Sequence, residues 1–228
     1  MLQRYSYSDQ LTFFQKLRSI DYSLLFSLLL VGIISSFAMY STDGGEFLYH
    51  SKSHIIRFTV FFLVMIFLSF INIKYWHAIG YLFYIVVLGL LFWASFYGIT
   101  ASGSTRWINL YFINLQPSEL MKIAIIICFA KFYHRIQIVN VNKIVNIFIP
   151  LFLLIIPIFL VLSQPDLGTS ILIAASGIAV LWLAGTKIKY FVYSSLLFII
   201  SAPFIISFLQ PYQKLRILSF FDPDRDPL

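Results

Sequence analysis

Charge is what this sequence has least of. Asp, Glu, Lys and Arg supply 11% of its 228 residues, against about 25% in soluble globular domains. A surface wetted on all sides cannot be built from so few charges when 60% of the residues are hydrophobic and mean hydropathy is +0.89. A large water-soluble core is excluded by segment length, because buried core helices rarely run near 20 residues without a charge. Cysteine is nearly absent. Cys128 alone excludes an internal disulfide framework, and its apolar surroundings make it a small packing residue. The G-x-x-x-x-G-K-[ST] loop of nucleotide sites and the H-E-x-x-H helix of zinc sites are both missing. His50, His54, His77 and His134 fall in different loops or segment ends. They read as interfacial residues rather than ligands, and spacing supports neither a metal set nor a catalytic triad.

What is present is a succession of apolar blocks. A helix rises about 1.5 Å per residue, so roughly 20 apolar residues cross a hydrocarbon layer about 30 Å thick. Tyr22–Tyr40, Phe58–Ile73, Ala78–Gly98, Ile144–Ser163, Leu167–Thr186 and Tyr190–Gln213 contain no Asp, Glu, Lys or Arg. Pro117–Tyr133 carries Glu119 and Lys122 near its start. The fold class is therefore all-α: a polytopic helical membrane protein with about seven transmembrane helices. Barrel strands are excluded, because no segment alternates polar and apolar residues. Residues 1–21 read as a cytoplasmic segment. Within it Leu11, Phe13, Phe14 and Leu17 alternate with Lys16 and Arg18 as in a short interfacial helix. Residues 22–213 form the transmembrane domain, opened by an uncleaved signal anchor. Residues 214–228 begin a large extracytoplasmic loop.

The net charge of +7 does not point to nucleic acid. The 16 basic residues are scattered between apolar blocks rather than gathered on one patch. With the N-terminus inside, nine fall on the cytoplasmic side and six outside, Lys122 lying within a helix. That bias follows the positive-inside rule and puts the C-terminal segment outside.

A few polar residues interrupt the apolar blocks. Gln116-Pro117-Ser118-Glu119 and Gln164-Pro165-Asp166 each begin a helix entering from the outer face. Proline suits a first turn, and an acid there suits the positive end of the helix dipole. The motif is thus helix punctuation, or a pair of helix N-termini able to hold an anion such as a pyrophosphate. Glu119 and Lys122, at i and i+3, form either a mutual salt bridge or the wall of a polar cavity. The outer loop Ile99–Leu115 contains Gly103, Arg106, Trp107 and Tyr111. Trp and Tyr belong to the headgroup belt, and Arg106 suits a lipid phosphate or the phosphate of a lipid-linked substrate. The tail Tyr212–Leu228 is polar and turn-rich. Asp222, Asp224 and Asp226 stand at i, i+2 and i+4, but the glycine and later Glu of a calcium loop are missing, so no metal is assigned.

Several of these stretches together resemble the shape, elongation, division and sporulation family, whose members include RodA and FtsW. They are Ser104-Thr105-Arg106-Trp107-Ile108, Gln116-Pro117-Ser118-Glu119-Leu120-Met121-Lys122, Gln164-Pro165-Asp166-Leu167-Gly168-Thr169-Ser170, Tyr212-Gln213-Lys214-Leu215-Arg216 and Phe221 to Leu228. Lys16 to Asp21 and Gln164 to Ser170 look closer to the RodA branch. The resemblance implies a peptidoglycan glycosyltransferase that polymerises lipid II at the outer face of the bacterial inner membrane during cell elongation. A sugar hydroxyl would attack the anomeric carbon of a lipid-linked chain and undecaprenyl pyrophosphate would leave. Such chemistry needs a base for the hydroxyl and positive charge for the leaving group.

The resemblance further implies undecaprenyl-linked lipid II as substrate, and as partners a class B penicillin-binding protein transpeptidase and other membrane proteins of the elongation machinery. No cofactor is visible in the sequence, although the family allows a divalent cation. The site residues expected on this basis are Arg106, Trp107, Gln116, Ser118, Glu119, Lys122, Gln164 and Asp166, with Tyr212, Arg216 and Asp222 in the outer loop. The family runs to about ten helices. Its proposed catalytic aspartate sits in a His-Thr-Asp-Phe-like motif that no position here matches, so no base is carried over and this chain is expected to be an N-terminal portion. Three other readings stay open: an FtsW-like division polymerase, a lipid II flippase and a non-catalytic truncated product.

Overall fold

The computed structural model describes residues 12–101, 104–109, 114–164, 166–208 and 214. Within them lie α1 (Phe13–Arg18), α2 (Tyr22–Thr42), α3 (Tyr49–Ser69) and α4 (Ile73–Tyr97). Three short strands follow, β1 (Ile99–Ala101), β2 (Ser104–Asn109) and β3 (Asn114–Leu115), then α5 (Pro117–His134), α6 (Ile144–Ser163), α7 (Leu167–Leu183) and α8 (Ile188–Phe208). Among the described residues α2, α3, α4 and α6 are long and apolar enough to cross a membrane, and α7 and part of α8 are shorter apolar helices. Helix α6 has the bounds its sequence marks, because Lys143 and Gln164 close the apolar block at each end. Helix α3 begins nine residues before the apolar block Phe58–Ile73, since helical hydrogen bonding does not stop at a charge. Its Arg57 Nε donates to the Ser53 carbonyl 3.1 Å away on the preceding turn.

The chain divides into two compact units, Met1–Trp76 and His77–Leu228. The first is a helical hairpin with α1 beside it. Gly32 of α2 lets α3 approach: a Cβ there would stand 2.0 Å from the end of the Phe58 ring. Ser35 Oγ and His54 Nε2 are 2.9 Å apart across the pair. The turn uses Gly44 and Gly45 at φ +77° and +85°, which only glycine adopts without strain. Asp43, at the end of α2, accepts hydrogen bonds from the Ser51 hydroxyl and, at 2.8 Å, from the Ser51 N–H. These hold its carboxyl below the ordinary range.

The second unit is built around α5. Its Met121, Ala124, Ile125, Cys128 and Phe129 are fully buried against Tyr84, Val87 and Leu91 of α4, Leu154 and Val161 of α6, and Ile173 of α7. Without a hydrophobic drive between helices in lipid, close fit supplies the association. Gly177 provides one such fit, facing the Leu154 methyl groups where a Cβ would come within 2.6 Å. The residues between α4 and α5, expected as a loop, instead include an antiparallel meander in the order β1-β2-β3. Trp107 pairs with Ile99, and Ile108 with Leu115. Thr105-Arg106-Trp107-Ile108-Asn109 runs polar, polar, apolar, apolar, polar, so no two-residue alternation marked the strand. Gly98 permits the turn into it, because a Cβ there would lie 2.3 Å from the Ala94 carbonyl.

Candidate functional site

Two helix starts and one strand converge at one end of the second unit. Asp166 caps α7 in the manner its sequence position predicts. Its Oδ1 accepts the Thr169 N–H at 3.1 Å, and its Oδ2 accepts the Thr169 hydroxyl at 2.8 Å. It also does what a cap alone does not. The same Oδ2 lies 3.0 Å from Arg106 Nη1, projected from β2, and 3.3 Å from the Gln116 amide, at the start of α5. The chain thus brings together residues 50 and 60 positions apart. The Asp166 side chain is 9% exposed and that of Arg106 28%, so the pair sits in a recess open on the arginine side.

Burial by itself would raise the Asp166 pKa. The Thr169 N–H and hydroxyl and the Arg106 guanidinium outweigh it, and the carboxyl titrates below its ordinary 3.8. A carboxyl depressed in the folded state contributes stability that is full above the unfolded value and disappears as pH falls through the folded one. The protein should therefore lose part of its thermal stability on acidification below about pH 4, and Asp166→Asn should flatten that part of the profile. An unchanged acid limb in the variant would show that Asp166 does not carry it.

The other expected residues divide. Gln164 is buried and structural: its Nε2 donates to the Leu91 carbonyl at 3.1 Å and to Ser95 Oγ at 2.6 Å, tying the end of α6 to α4. Glu119 and Lys122 form the mutual bridge, 2.8 Å long, with Glu119 55% exposed. At that exposure the pair stabilises by less than about 1 kcal/mol. Ser118 is buried in the first turn of α5, and its Oγ has no partner among the described residues, as is also true of Arg106 Nε. Trp107 is half-buried in the ladder. Gly103, Tyr111, Pro165, Tyr212, Arg216, Asp222, Asp224 and Asp226 lie outside the described residues.

A divalent cation does not fit the described part of this end. Both Asp166 oxygens are engaged, Glu119 faces Lys122, and no group of three His, Cys, Asp or Glu side chains that could hold a metal occurs among the described residues.

At its other end the second unit is also polar, which sequence spacing concealed. The His77 and His134 rings, read as separate interfacial residues, lie with centroids 4.9 Å apart because α4 and α5 run side by side. His50 and His54, read as loop residues, lie on α3. Lys131, near the end of the block Pro117–Tyr133, is 8% exposed and donates to the Ala78 carbonyl at 2.6 Å. Its one sequence signal was its position in an apolar run with Phe129 and Phe132.

Residues 16–228 match the model of the FtsW, RodA and SpoVE family, described as cell cycle proteins. The chain belongs to this family. It is 31% identical over 95% of its length to the peptidoglycan glycosyltransferase MrdB of Escherichia coli K12. It is 29% identical over 88% to a probable peptidoglycan glycosyltransferase FtsW of Buchnera aphidicola subsp. Baizongia pistaciae. It spans 58% and 53% of those two relatives. A solved structure described as a peptidoglycan synthase complex that coordinates polymerisation and crosslinking superposes with a TM-score of 0.75 at 23% identity, covering 92% of this chain and 61% of that one. The rod shape determining protein RodA of Thermus thermophilus gives 0.66 at 19% identity, covering 80% and 59%. The fold is that of a polytopic helical membrane protein, and this family member is integral to the membrane.

Proposed function

We propose that this chain carries the substrate-anchoring part of a peptidoglycan glycosyltransferase of the bacterial inner membrane, acting on lipid II in cell elongation. The observation that carries the reading is the Arg106–Asp166 pair with Gln116 beside it, in a chain related to named glycosyltransferases. Lipid II offers a pyrophosphate at the membrane surface. Arg106 has five donor hydrogens, and one of its nitrogens, Nη1, is held by Asp166. Nε is buried, so the donors left for phosphate oxygens are the remaining Nη hydrogens at the exposed end of the guanidinium, a group that binds phosphate in a planar, two-pronged manner.

Asp166 is the positioning residue in this scheme. A general base works best with a pKa near the working pH, and a carboxyl held below its ordinary value by Arg106 and Thr169 is a poor acceptor for a sugar proton. Asp166 instead fixes the orientation of the guanidinium. With the N-terminus inside, this end of the second unit faces outward, where lipid II is consumed. A class B penicillin-binding protein would then receive the growing strand, and a divalent cation, if used, would accompany the pyrophosphate or sit outside the described residues.

Binding of labelled lipid II to the purified chain in nanodiscs tests the reading. Arg106→Ala is expected to weaken it at least tenfold, the scale of one charge-assisted phosphate contact, and Arg106→Lys by less. Equal binding by wild type and Arg106→Ala would overturn it. Transbilayer movement of lipid II without polymer from the membrane-assembled machinery would favour a flippase instead.

A further inference from the structure

The first unit has a groove of about 460 Å³ where α1 meets the ends of α2 and α3. Its mouth carries Lys16, Ser19 and Asp21; its wall continues through Leu24, Leu25 and Met65 into the apolar body of the hairpin. The polarity therefore changes along the groove, with cationic and hydroxyl groups at the rim and methyl-rich surface behind.

Helix α1 lies at that rim with the features of a surface-seeking helix. Phe14 is 81% exposed, and Lys16 and Arg18 fill the last turn. The Lys16 ammonium has three donor hydrogens. Its one partner among the described residues is the Phe70 carbonyl at 3.5 Å, too long for a full-strength bond. Asp21 supplies the one acid of the lining, and its Oδ1 is committed to the Leu24 N–H at 3.1 Å, capping α2. With Arg18 beside Lys16 in the last turn of α1, the described rim sets two cations against the one carboxylate of Asp21 and is net positive.

We propose that this groove holds one anionic phospholipid, its phosphate against Lys16 and its acyl chain against Leu24, Leu25 and Met65. A groove that begins at a cation and ends among helix-spanning apolar residues matches an amphiphile whose charge and hydrocarbon are covalently joined. A basic residue near an anionic membrane surface attracts it by about 1 kcal/mol, which is about fivefold in occupancy.

The test is native mass spectrometry of the purified chain from micelles holding equal phosphatidylglycerol and phosphatidylcholine. The wild type should retain phosphatidylglycerol about fivefold over phosphatidylcholine. Lys16→Gln should remove that preference and Lys16→Arg keep it. Lys52→Gln, at the opposite end of the same hairpin, should leave it unchanged. Ser69→Trp, filling the groove, should reduce retention of both lipids, with thermal melts reporting that each variant is folded. Equal retention of the two lipids by the wild type would overturn the proposal. So would a preference that survives Lys16→Gln, or one that falls as far with Lys52→Gln, which would mark diffuse surface charge.

Discussion

Replacing Arg106 by alanine should destabilise this protein more than replacing Arg106 and Asp166 together. Asp166 is 9% exposed and its Oδ2 faces the guanidinium at 3.0 Å. Deleting the cation leaves a desolvated carboxylate, and breaking a buried pair from one side costs about 3–5 kcal/mol. Because Arg106 is itself 28% exposed, water reaches part of the site, and the lower end of that range applies. The reverse change is milder. Asp166→Asn keeps a good cap for α7, since Asn and Asp are equivalent there, and the stranded guanidinium remains partly hydrated. In the double variant Arg106→Met with Asp166→Asn, no charge is stranded. Thermal melts in mild detergent should show Arg106→Ala falling by roughly 6–12 °C, given about 2–4 °C per kcal/mol at this chain length. The double variant should recover at least half of that. Simple additivity of the two single losses would mean that the two groups do not interact in the folded protein.

That pair also shows how far the sequence could be read. The alternation of apolar blocks with short polar links located the long helices among the described residues, though not all of their ends, because lipid demands about 20 mostly apolar residues and internally satisfied backbone. The helix starts at Pro117 and Leu167 were equally legible, since a first-turn proline and a capping acid have local causes, although Gln164, expected to open α7, closes α6 instead. What local causes cannot reveal is which side chain at one start meets a strand 60 residues away. Gln116 and Gln164 occupy matching motif positions, yet one joins the Asp166 cluster and the other locks α6 to α4. The charge criterion that marked the blocks also misplaced one feature. It cut α3 short at Arg57, although helix propagation runs through a charge.

Lys131 yields the second large effect. It lies in the last turn of α5, where a cation suits the negative end of the helix dipole. Its Nζ donates to Ala78 O of α4 at 2.6 Å and stands 4.6 Å from the centre of the Tyr81 ring. Gly80 makes the room: a Cβ there would approach the Lys131 stem and the Ile127 carbonyl within 3.3 Å. A buried cation with a carbonyl and an aromatic face around it joins two helices through attraction that lipid cannot replace. Lys131→Met keeps the stem volume and removes the donor, so the loss is that of one charged hydrogen bond, about 1.5–3 kcal/mol. Lys131→Glu does more. It sets an acceptor against a carbonyl, a ring face and a helix C-terminus, all of which repel it, and the uncompensated charge costs about 3–5 kcal/mol. In detergent melts Lys131→Glu should fall roughly 10 °C below wild type, with Lys131→Met between them. A Lys131→Glu protein as stable as Lys131→Met would show that the side chain reaches water at that position, and that α4 and α5 are held together there by apolar packing alone.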